Sequence, residues 1–98
     1  MYAIAIVRYR KPLEEVLRHV EAHRAYLRGL KEKGILLASG PIDPRQAGVL
    51  LLRIPDDTSP HASLDAIRDG DPFVREGVAQ YEAWPWLPNI GKESLDSI

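Results

Sequence analysis

The feature that most constrains the fold is an apolar stripe between Leu13 and Lys33. Leu13, Val16, Val20, Leu27 and Leu30 recur at steps of three, four or seven, the spacing that puts side chains on one face of an α-helix. Pro12 stands at its first turn, Glu14 and Glu15 complement the positive end of the helix dipole, and Lys31, Lys33 and Gly34 mark its C-terminus. The spacing therefore predicts one helix over 13–33. Between Val20 and Leu27 the same rhythm has a further slot, and it holds His23. A side chain that titrates near neutrality thus sits on a core-facing stripe. It is either a structural histidine satisfied by a backbone carbonyl or by Tyr26, or a group reaching into a pocket beside the core.

Around this helix the chain alternates between short apolar runs and turns. Tyr2–Tyr9 reads as a strand with Ile4 and Ile6 on one face and Ala3, Ala5 and Val7 on the other. Ile35–Ala38 is a second strand, ended by Ser39-Gly40-Pro41 as a turn. A polar loop, 42–47, leads to a third strand, 48–54, whose run Val49-Leu50-Leu51-Leu52 lacks alternation and so implies two covered faces. Asp56-Asp57-Thr58-Ser59-Pro60 supplies caps for a weaker helix over 60–69, and Asp71 is placed to cap a short turn through Phe73 and Glu76. The last strand is 78–86, with its pairing expected to stop at Pro85. Residues 1–87 form the domain; 88–98 read as a loose tail or an arm that orders against another surface.

The order β-α-β-β-α-β is that of a ferredoxin-like α+β subunit, an antiparallel sheet with two helices on one face. Such a layout leaves the other sheet face uncovered although three strands are apolar on both sides. The expected solution is a homodimer with sheets face to face.

Bulk properties exclude several classes of function. Thirteen basic and fourteen acidic residues are interspersed, giving a net charge of −1, so there is no footprint of a nucleic-acid binder. The absence of cysteine rules out disulfides, thiolate nucleophiles and thiolate metal sites. No apolar run is long enough to span a bilayer. The start Met1-Tyr2-Ala3-Ile4 has no charged region of a secretory signal, which makes the cytoplasm the expected location. No phosphate-cradling glycine loop is present, so no organic cofactor is expected. Glu15, His19 and His23 are spaced by four, but without further ligands this pattern carries no metal site.

His23-Arg24-Ala25-Tyr26-Leu27, Leu36 to Pro41, Asp71-Pro72-Phe73 and Tyr81-Glu82-Ala83-Trp84-Pro85-Trp86 together resemble, in order and spacing, the YciI-related (YCII) family. The resemblance covers about Met1 to Trp86. It implies a dimeric α+β barrel and an active site centred on a histidine and an aspartate, here His23 and Asp71, with Ser39 near the pocket. One branch of the family comprises dehydrochlorinases acting on a chlorinated hydroxyhydroquinone, and the wider fold includes muconolactone isomerases. The chemistry expected is proton transfer on a small cyclic or aromatic acid, as elimination or isomerisation, with Ser39 positioning the substrate. Gly40 and Pro41 would adjoin it. Tyr26 would line the pocket or pack, and Arg8 would meet an anionic substrate or pair with Glu82. Arg24, Arg28 and Arg45 are assigned to solvent. The alternative from another class is a non-enzymatic ligand-binding or interaction module on the same scaffold.

Overall fold

The computed structural model describes residues 1–56 and 59–98. The strands β1 (Tyr2–Tyr9), β2 (Leu36–Pro41), β3 (Ala47–Arg53) and β4 (Ala79–Trp86) form one antiparallel sheet in the order β2-β3-β1-β4. The helices are α1 (Leu13–Leu17), α2 (Val20–Glu32), α3 (Pro60–Gly70), α4 (Pro72–Arg75) and α5 (Lys92–Asp96). This is the ferredoxin-like α+β arrangement. In β1, Ala3, Ala5 and Val7 face inward and are essentially fully buried. Leu50 and Leu52 of β3 share that face because they pair with Ala5 and Ala3. Against them pack Leu27 and Leu30 of α2, Leu64 and Ile67 of α3, and Phe73 of α4, making a single core.

Alternation along the strands puts the remaining apolar side chains on the opposite face. Ile4 is paired with Leu51 on one side and Trp84 on the other, and Ile6 with Val49. All four aliphatic residues are half-buried and Trp84 is exposed. Among the described residues no helix covers that patch; the two-sided apolar pattern of β1 and β3 therefore has one face packed against the helices and one that is not.

Four expectations require correction. The single helix over 13–33 is two segments, joined where Arg18 and His19 donate to the carbonyls three residues back, Glu15 and Val16, at 3.2 and 3.0 Å. This tightening is of the 3₁₀ type. Upstream of it only Val16 is buried, so Leu13 does not belong to the core stripe. Ser39, Gly40 and Pro41 are not a turn but continue β2, opposite Leu50, Val49 and Gly48, after a register shift between Leu36 and Ala38. The β4 ladder runs past Pro85 to Trp86, opposite Tyr2. This is tolerated because β4 is an edge strand, where a missing N–H can face outward. The tail is not loose: Gly91, in the left-handed region with φ 86°, turns the chain into α5. That helix docks through Tyr2, whose hydroxyl donates to Asp96 at 2.5 Å, and Arg53, which donates to the Leu95 carbonyl at 2.9 Å.

Ser59 stands at the N-cap position of α3, but its side chain makes no capping hydrogen bond to that helix; the other expected caps Asp57 and Thr58 lie outside the described residues.

Candidate active site

The site begins with the junction between α3 and α4. Gly70-Asp71-Pro72 ends one helix and starts the next: Asp71 is extended (φ −77°, ψ 123°), and its Oδ1 accepts from the backbone N–H of Phe73 at 2.9 Å. Proline in the first turn of α4 needs no such acceptor. Gly70 is required here, since a Cβ on it would lie 2.6 Å from the Tyr26 hydroxyl oxygen. Asp71 thereby becomes a fully buried acid, at 0 % exposure.

A buried carboxylate is costly unless its lone pairs are used. Asp71 has three donors. Besides Phe73 N–H, the Tyr81 hydroxyl of β4 donates to Oδ2 at 2.5 Å, and Nδ1 of His23 lies 2.8 Å from Oδ1. A carboxylate only accepts, so His23 donates from Nδ1, and Nε2 is the nitrogen turned away from Asp71. That second nitrogen makes no hydrogen bond among the described residues. The ring itself is held flat: it stacks on Phe73 with centroids 3.8 Å apart and planes at 5°, and Tyr9 meets the edge of Phe73 at 6.0 Å.

The electrostatics follow the same centre. Burial and then the Asp71 charge and hydrogen bond push the Tyr81 hydroxyl far above the usual phenol range, so it remains a donor. Tyr26 is raised by burial and, to a smaller extent, by the same charge. Its hydroxyl donates to the Ile67 carbonyl at 2.8 Å, leaving it a wall of the Asp71 compartment rather than a partner of His23.

His23, with 12 % of its side chain exposed, borders a cavity of about 200 Å³. Ser39, Gly40 and Pro41 line the same cavity from β2, together with the aromatic and aliphatic side chains of Tyr9, Phe73, Val20, Leu27 and Leu50. Of the residues expected at the site, His23, Asp71, Ser39, Gly40 and Pro41 are thus gathered in one place. Arg8 is not: it forms an ion pair with Glu82 and does not line this cavity. Tyr26 does not line it either. Sequence reasoning missed Tyr81 as the third donor to Asp71. It also missed Arg24 and Arg45, both of which line the cavity. Among the described residues, no group of three or more His, Asp or Glu is placed to hold a metal ion.

The model of the YCII-related domain matches residues 1–87. The chain belongs to the YCII-related family. The segment bearing α5 lies beyond that match. Among solved structures, this YCII-related chain is similar to 5-chloro-2-hydroxyhydroquinone dehydrochlorinase from Burkholderia phenoliruptrix AC1100, solved in complex with 2,5-dihydroxybenzoquinone. The TM-score is 0.67 over 89 % of this chain and 95 % of that one, at 20 % identity. At that identity the likeness establishes the fold. No curated protein sequence matches.

Proposed function

We propose that this YCII-related protein is a small cytoplasmic enzyme, homodimeric through its open sheet faces, that moves a proton on a small cyclic or aromatic acid. The observation that carries this reading is the pairing of a fully buried Asp71 with a His23 ring that borders a cavity. Asp71 fixes the tautomer, and its charge stabilises the imidazolium formed when Nε2 accepts a proton. The electron pair left on the substrate then either expels a leaving group, as in elimination, or shifts along the ring while the proton returns elsewhere, as in isomerisation. Ser39 hydrogen-bonds and positions the substrate. The residues 1–87 form the catalytic domain and 88–98 an appendage that fastens to its far end. Dimer formation is supported by the uncovered stripe of Ile4, Ile6, Val49, Leu51 and Trp84.

The similar dehydrochlorinase was solved with 2,5-dihydroxybenzoquinone, which makes dihydroxyquinones and chlorinated hydroxyquinols the first compounds to try. Turnover should be measured by release of chloride or by the absorbance of the quinone formed. His23→Ala should lower kcat by about 10²–10⁴-fold, the usual contribution of a general base, while the dimer persists in sedimentation. A variant that keeps full turnover refutes the dyad. A protein that binds such rings tightly but turns over none of them is instead a ligand-binding module.

A further inference from the structure

Among the described residues, the cavity beside His23 is lined by two cations and by no acid. Arg24 enters from α2, next in sequence to His23, and Arg45 enters from the loop between β2 and β3. Among the described residues no aspartate or glutamate lines the space; Asp71 is screened from it behind the imidazole. Arg45 has no ion pair or hydrogen bond among the described residues. Among the described residues Arg24 has only Glu21, 3.6 Å away and one turn back on the same helix, with the Arg24 side chain half in solvent and that of Glu21 largely so. A pair of that kind is weak and readily exchanged for a better one. In the neighbouring groove between α2 and β2, Arg24 is followed by Arg28 and Lys31, again without an acid among the described residues.

We propose that Arg24 and Arg45 clamp the anionic oxygens of a planar ring acid, and that they set the specificity of the site for ionised over neutral rings. Two arginines from separate elements, both lining a concave space with an apolar wall, fit a flat hydrophobic body ending in a carboxylate or phenolate. The clamp also suits the chemistry, because proton removal by His23 adds negative charge to the ring at the moment two cations face it. The inference rests on reading this cavity as the substrate site.

The test is titration calorimetry of the full chain with 4-hydroxybenzoate and with its neutral isostere 4-hydroxybenzamide; phenol and 4-nitrophenol, the latter ionised near neutrality, form the phenolate arm. The wild type should bind the acid at least about tenfold more tightly than the amide, as expected for a charge-assisted bidentate contact. Arg45→Gln should remove most of that preference without altering amide binding, Arg24→Gln a smaller part, and Arg28→Gln none. A preference confined to 4-nitrophenol would assign the clamp to phenolates, and one confined to the benzoate to carboxylates; either supports it. Equal binding of acid and amide together with equal binding of phenol and 4-nitrophenol by the wild type, survival of the preference in the Arg24→Gln/Arg45→Gln double variant, an equal loss in Arg28→Gln, or no binding of any probe overturns it. His23→Asn separates the two readings. Retained acid preference with lost turnover keeps both the clamp and the dyad. Retained turnover removes the dyad and leaves the clamp standing.

Discussion

Two ions organise the two ends of this molecule, and they do so in opposite ways. Asp71 is an anion at 0 % exposure, surrounded by Phe73 N–H, the Tyr81 hydroxyl and His23. Arg53 is a cation at the other end of the sheet, half in solvent, bonded to the Tyr2 hydroxyl and to the carbonyls of Leu95 and Ile98 while stacking over the Tyr2 ring at 5.4 Å. Both have three partners. The difference is the medium: an ion out of water makes each partner obligatory, whereas one at the surface can exchange any of them for water. The first arrangement suits chemistry, the second fastening.

Substitutions should expose that contrast, in falling order of effect. Asp71→Ala strands three donors in the interior and should cost roughly 3–5 kcal/mol, the range for breaking a buried charged pair; Asp71→Asn keeps one acceptor oxygen and should cost about 1–3 kcal/mol, both read from denaturant midpoints. If Asp71→Ala is no worse than a surface change, the compartment is not the anchor described. Gly70→Ala drives a methyl into the Tyr26 ring, with its nearest contact at 2.6 Å, and should destabilise by about 1–3 kcal/mol, as overpacking does. Tyr81→Phe removes one hydrogen bond while keeping the ring, for about 1 kcal/mol. At the opposite end Arg53→Ala should cost under about 1 kcal/mol, while hydrogen exchange of α5 accelerates and that of α4 does not.

pH should separate the ends again. Tyr81 and Tyr26 have raised phenol values in the folded chain, so their contribution is intact below the ordinary value of about 10 and is lost as pH rises beyond it. An ultraviolet titration should show Tyr81 ionising only as the fold opens. In α5 the carboxylate of Asp96 is lowered by its hydrogen bonds from Lys92 and then from Tyr2, and Lys92 is raised by Asp96. Docking of α5 is thus favoured from above the usual carboxylate range to below the usual lysine range. It weakens on acidification through the lowered Asp96 value and on alkalinisation through the raised Lys92 value. Exchange rates of 92–96 across that window check the sign.

How much of this was legible depends on how local each cause is. His23 stood out because periodicity is a property of neighbouring residues, and Asp71 because Gly-Asp-Pro is turn chemistry on its own. The ferredoxin-like order followed from the succession of elements. Tyr81 could only be read as aromatic weight on a strand: its hydroxyl meets Asp71 by virtue of how α4 folds back against β4, which no spacing reports. Arg45 sits in a polar loop, and its residue type says nothing about the loop reaching the cavity. Ser39-Gly40-Pro41 carries a strong turn signal that tertiary pairing with β3 overrides. The docking of α5 rests on two polar anchors, Tyr2 and Arg53, 94 and 42 residues distant in sequence from the residues they meet.

The oxygen of Asp71 that starts α4 is also the one facing the imidazole. Architecture and the proposed reactivity therefore hang on a single atom. Under the proposed function the walls of the cavity can be recast freely, but this acid cannot be removed without also unpicking a corner of the molecule, so its loss by drift carries a penalty in folding.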